Sequence, residues 1–190
     1  MPIPFSDVDN GDELGSAAFL KLERSSDEAC CLGALFVMNS RGEPLEFGYN
    51  RVRVPQPYLW RQSDLRRYTQ RRLTTSLLSV CSQMPRLLLC LARETSVELF
   101  VQELRVDLPV ARVAEGPALS RRVNTETGEL LEEEDPRPHV TWQPAPPNAD
   151  SVERRLFEHL SSHGLLFEPF ERAAVGLLEV YGPTPCESAS

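Results

Sequence analysis

The sequence predicts an α+β fold: an antiparallel-rich sheet in the order β-β-β-α-β-β, one main covering helix and a C-terminal helical hairpin. Three observations carry that expectation. Residues 17–54 divide into three apolar or alternating runs separated by turn residues, residues 63–84 repeat apolar side chains at helical spacing before Pro85, and residues 151–181 hold two short amphipathic stretches joined near Gly164.

The first strand is read from "AAFLKLERS", Ala17–Ser25, where Phe19, Lys21 and Glu23 alternate with Leu20 and Leu22. The second, Cys30–Met38, is apolar almost throughout, as befits a strand covered on both faces. "NSRGEP" supplies turn residues, and Pro44 excludes helix at Glu43. The third, "LEFGYNRVRV", alternates again, so residues 17–54 are expected to form an antiparallel meander. Pro55 and Pro57 end the pairing because proline donates no ladder hydrogen bond.

A helix is expected next, capped by Ser63, with Asp64 in its first turn and Leu65, Leu73, Leu77, Val80, Cys81 and Met84 on one face. "RLLLCLA" reads as a buried strand, and Val97–Val113 as one long or two short strands. Ser151 or Asp150 caps "VERRLFEHLSSH", Gly164 stops it, and Pro169 opens a last helix. The expected organisation is a disordered tail over 1–16, an α+β core over 17–114, and an acidic, proline-rich linker or hairpin excursion over 115–150. A helical pair over 151–181 packs on the core, and a frayed tail follows over 182–190.

Length and composition narrow the classes. At 190 residues the chain can bury a core without disulfides or metals, and 41% hydrophobic with 25% charged residues suits a soluble globular domain. The N-terminal "MPIPFSDVDNGDELGS" lacks the pattern of a signal peptide, and no run nears the roughly 18 apolar residues of a membrane span, so a cytoplasmic protein without membrane association is expected. The five cysteines show no C-x-x-C spacing and read as buried reduced thiols.

Common chemistries find little support. Three antiparallel strands, a helix and a further strand open the ribonuclease H-like arrangement, whose nuclease chemistry needs clustered carboxylates to hold divalent cations on a phosphate. Glu23, Asp64 and Glu94 fall near the required places but read as surface charges. His159 and His163 share a helix face, yet the intervening Leu-Ser-Ser lacks the glutamate of a zinc-protease motif, and His163 lies where a histidine favours a helix C-terminus. Neither a nucleophile elbow nor a phosphate-binding glycine loop occurs. No catalytic residue, metal ligand or cofactor is therefore expected.

The remaining signal is basic. Between Arg51 and Arg72 seven arginines face a single acid, Asp64, although the whole chain carries a net charge of -8. Tyr49, Tyr58, Trp60 and Tyr68 are interleaved, a mixture suited to phosphate contact and base stacking. The expected binding residues are Arg53, Tyr58, Trp60, Arg61, Arg67, Tyr68 and Arg71. Net negative charge favours a protein partner, or pairing with the acidic 126–135 segment, over nucleic acid. The expectation is thus a non-catalytic interaction or adaptor subunit of a larger cytoplasmic assembly. The alternative is a nucleic-acid-binding or processing protein of ribonuclease H-like arrangement using the Arg51–Arg72 segment.

Overall fold

The computed structural model describes residues 2–4, 13–25, 28–123 and 130–182. The chain runs β1 (Pro2–Pro4), β2 (Ser16–Arg24), β3 (Cys30–Asn39), β4 (Pro44–Arg53), α1 (Gln62–Val80), β5 (Leu87–Leu91), β6 (Val110–Val123), β7 (Leu130–Gln143), α2 (Val152–Ser162) and α3 (Glu168–Tyr181). All seven strands join one sheet in the order β1-β4-β3-β2-β5-β6-β7.

The expected meander is present: β2 pairs antiparallel with β3, and β3 with β4. The sheet as a whole is mixed rather than antiparallel-rich, because β5 lies parallel to both β2 and β6. Parallel neighbours need a crossover connection. Here α1 supplies it between β4 and β5, and the segment from Ala92 to Pro109 supplies it between β5 and β6. That second crossover contains a five-residue π-helical turn at Leu99–Glu103, which replaces the strand expected after Val97.

Strand alternation sorts the apolar side chains into two cores. Ala18, Leu20 and Leu22 of β2 join Leu35 and Val37 of β3 and Leu88 and Cys90 of β5 beneath Leu73 and Leu77 of α1. Ala17 and Phe19 face the other way, with Phe36, Leu87, Leu89 and Leu91, under Leu156, Phe157, Leu160, Phe170 and Leu177 of the helical pair. Phe19 meets Phe170 edge-on at 5.3 Å between ring centroids, and Trp142 meets Phe157 at 4.9 Å. The C-terminal hairpin therefore covers the sheet face that α1 leaves bare. Gly176 lets α3 settle there, since a Cβ at that position would lie 2.5 Å from Cζ of Phe47.

Two helix ends differ from the sequence reading. The N-cap of α1 is Arg61, in extended backbone, and Ser63 falls inside the helix. At the other end α1 stops at Val80 rather than Met84, leaving Val80 and Met84 exposed instead of in the core. The cause is Glu46 of β4. Its buried carboxylate accepts from the Ser82 amide at 3.0 Å, the Ser82 hydroxyl at 2.6 Å and the Gln83 amide at 3.0 Å, drawing the chain out of the helix.

The 115–150 excursion is largely an antiparallel β6–β7 hairpin, with register shifts between Ala114 and Ala118. Its expected Glu126–Glu129 turn lies outside the described residues, as do most of the 1–16 tail and residues 183–190. The reading of buried reduced thiols holds for Cys90; Cys31 and Cys81 are free thiols but only half-buried, and Cys30 is disulfide-bonded. Among the described residues, no helix is long and apolar enough to cross a membrane.

Removing the Glu46 carboxylate should strand two amides and a hydroxyl at the α1–β5 junction. Glu46→Ala is expected to lower unfolding stability by about 3 kcal/mol, within the range for orphaned hydrogen-bonding groups. Glu46→Gln should lose less, because its amide oxygen still accepts; urea titration of both variants checks the order.

Candidate nucleic-acid interface

In open sheets with parallel strands, ligands gather beyond the carboxyl ends of those strands. Here β2 and β5 run side by side with Leu20 opposite Cys90, so Lys21 stands level with the end of β5. The chain leaving β5 turns through Ala92–Ser96 and places Glu94 against Lys21. The two side chains form an ion pair with only 11% and 10% exposure. The second oxygen of Glu94 accepts from the Leu22 amide at 3.1 Å, and Arg93 Nε stands 3.9 Å from the first.

Two further side chains hold this turn. Gln70 of α1 donates to the Glu94 carbonyl and accepts from the Ser96 amide at 3.2 Å. Arg112 of β6, itself buried, donates to the Ala92 carbonyl at 3.1 Å and the Thr95 carbonyl at 2.7 Å. Glu94 is therefore an interior group and not the surface charge expected from sequence. Asp64 sits in the first turn of α1.

Beside the turn opens a cavity of about 380 Å³ whose lining includes Glu23, Arg24, Gln62, Arg66, Arg93 and Glu94. A second, of about 510 Å³, is lined in part by Arg24, Glu28, Arg53, Gln56 and Gln62. Arg24 and Gln62 line both, so the two adjoin as a groove along the 92–96 turn, the start of α1 and the end of β4. Because Gln56 and Gln62 both line it, the intervening 57–61 segment flanks it. That segment presents Tyr58, Leu59 and Trp60 at 79%, 73% and 41% exposure.

The expected binding residues divide on this geometry. Arg53 lines the groove, Tyr58 and Trp60 border it, and Arg61 is exposed at the head of α1. Tyr68 packs on Trp60 with ring centroids 5.5 Å apart and accepts from Arg72 at 2.6 Å. Arg67 and Arg71 are spent elsewhere: both pair with Glu103 of the π-helical turn, Arg71 at 3.6 Å. The hydrogen bond from Arg67 holds the Glu103 carboxyl below the ordinary carboxylate range. Arg51 lies 5.6 Å from the ring of Tyr181. By contrast, Arg66 donates to a neutral acceptor, the Arg93 carbonyl, at 3.0 Å. Among the described residues neither Arg53 nor Arg66 has an ion-pair partner.

The sequence reading left Arg24, Arg66 and Arg93 out of the expected binding residues and gave Lys21 no role. One signal was available: Lys21 is the single lysine among twenty basic residues. Other candidate groups are quiet. Burial pushes the thiols of Cys81 and Cys90 up to about 11 and about 12, so neither is a nucleophile near neutrality. His163 Nδ1 lies 2.8 Å from the His159 carbonyl, at the helix C-terminus as the sequence suggested.

The mixed sheet, the crossover helix and the helical pair on the opposite face define an α+β fold. No family model matches the sequence, and no curated protein matches it. Among solved structures, Endonuclease V from Bacillus subtilis is 14% identical with a TM-score of 0.53, covering 87% of this chain and 80% of that one. Endonuclease V from Streptomyces avermitilis is 15% identical with a TM-score of 0.51, covering 88% and 81%. At such identity the likeness establishes the fold.

This likeness corrects the expectation of a non-catalytic adaptor: a fold shared with endonucleases over most of the chain favours the nucleic-acid alternative, and the case for a protein partner rested on the adaptor reading. Divalent-cation chemistry on phosphate would need a cluster of carboxylates. The residues present do not fit one. Among the described residues no group of three His, Cys, Asp or Glu is placed to hold a metal ion, and both oxygens of Glu94 are engaged by Lys21 and Leu22.

Burial raises the pKa of Glu23 above its ordinary 4.5; Lys21 opposes this shift and Glu94 adds to it. A carboxyl raised in the folded state contributes stability that is complete below 4.5 and is lost as pH climbs through its folded value. Glu23→Gln should therefore melt higher than the parent at neutral pH and converge with it in acid. Thermal melts across that range measure the difference, and equal melting at neutral pH would remove the assignment.

Proposed function

We propose that the chain is a nucleic-acid-processing protein that lays a single-stranded or locally unpaired stretch along the groove. Arg24, Arg53, Arg66 and Arg93 face its phosphates, and Tyr58 and Trp60 offer ring faces to its bases. The observation that carries this reading is that two adjoining cavities, sharing Arg24 and Gln62, have four guanidinium side chains in their linings. Guanidinium groups suit phosphate because their planar fork donates in pairs, and an aromatic face stacks on any base. The endonuclease neighbours support the reading by sharing the fold on which the groove is built.

A fluorescence anisotropy titration of a labelled oligonucleotide against salt tests it. Arg53→Glu and Arg66→Glu should each weaken binding by at least about tenfold, roughly the loss of one charge-assisted hydrogen bond. Each should also flatten the salt dependence by about one unit of slope. Tyr58→Ala should weaken the single strand more than a duplex. Arg67→Ala and Arg71→Ala, engaged with Glu103, should bind like the parent. Binding indifferent to the Arg53 and Arg66 reversals would sink the proposal.

A further inference from the structure

We infer that Lys21 takes the place of a divalent cation, so that the groove receives its strand without a metal ion. The inference deepens the strand-binding reading and rests on it for the identity of the ligand; the absence of metal uptake stands independently. Its first support is position. Lys21 projects from β2 level with the carboxyl end of β5, the end at which ligands gather in open sheets with parallel strands, and its partner Glu94 lines the groove. Around its ammonium stand the Glu94 carboxylate and, within its field, Glu23. A carboxylate ready for a metal would have to release both Lys21 and the Leu22 amide first.

The second support is residue choice. Every other basic residue of the chain is arginine, nineteen against this one lysine. Arginine is a broad planar fork, whereas lysine carries a compact point charge. The position thus holds the side chain nearest to an ion in size and charge distribution.

Calorimetric titration of Mn²⁺ into the full chain, with no nucleic acid present, tests the inference beside thermal melts in EDTA and in Mn²⁺. The parent and a Glu94→Gln variant should give the same metal response, since Glu94 is not a ligand. Lys21→Asp should melt lower than the parent in EDTA and regain stability with Mn²⁺, while Lys21→Met should stay indifferent to the metal. Saturable Mn²⁺ uptake by the parent that Glu94→Gln abolishes would overturn the inference, as would a folded Lys21→Asp variant blind to Mn²⁺. Where Lys21→Asp does not fold, the comparison of parent with Glu94→Gln decides alone. Oligonucleotide affinity at matched ionic strength should be equal in EDTA and Mg²⁺. A chain that binds no oligonucleotide under any condition would defeat the strand-binding reading while leaving the metal titration to decide its own question.

Discussion

The buried ion pair between Lys21 and Glu94 is the contact on which the architecture of the groove depends. Removing two charges from water costs several kcal/mol per ion, and the pair survives that cost only where geometry and further hydrogen bonds compensate. Here the compensation comes from four directions: the Leu22 amide on Glu94, Arg93 alongside, Gln70 from α1 and Arg112 from β6 on the backbone of the same turn. The turn therefore ties β2, β5, β6 and α1 together at one end of the sheet. Its continuation is anchored as well, since Gln143 of β7 donates to the Val97 carbonyl at 3.0 Å. A groove built against this turn has a rigid floor.

Charge is segregated around that floor in a way the net value of -8 conceals. At physiological ionic strength a charge is felt over about 8 Å, so an acidic surface elsewhere does little to the potential inside a cleft. What matters is which arginines are already compensated. Glu103 absorbs Arg67 and Arg71, the Tyr181 ring takes Arg51, and Tyr68 engages Arg72. These contacts remove much of the basic run from the reckoning; of the groove arginines, Arg24 pairs with Glu28 at 3.6 Å and Arg93 stands 3.9 Å from Glu94, which leaves Arg53 of β4 and Arg66 of α1 as the cations of the lining without an ion-pair partner among the described residues.

The strands and helices were largely legible in the sequence because alternation and helical spacing are local. The meander, α1 and the C-terminal pair follow from neighbours a few residues apart. Parallel pairing was not legible: β2 and β5 meet across nearly seventy residues, and apolar runs such as "RLLLCLA" fit either direction. The same distance hid the site. Lys21 and Glu94 are 73 positions apart, so each read alone as a charge on a wet surface. Arg67 and Arg71 were plausible contacts on a helical wheel, but a wheel does not show that a π-helical turn brings Glu103 against that face. Tyr58 and Trp60 were recognisable because they follow Pro55 and Pro57, which break the strand, and precede the helix, so neither element carries them into a core.

The start of α1 bears on the same electrostatics. Its N-cap, Arg61, makes no side-chain cap hydrogen bond, although a serine, threonine, aspartate or asparagine there would contribute about 1 kcal/mol. An arginine at that point is also unfavourable toward the positive end of the helix dipole, which Asp64 in the first turn only partly offsets. Yet Gln62, the first helical residue, lines both halves of the groove. The first turn is instead closed by its own backbone, the Asp64 and Leu65 amides both donating to the Arg61 carbonyl at 3.0 Å, so the positive end of the helix dipole stands beside the cleft that Arg24, Arg53 and Arg66 line and adds to the same potential.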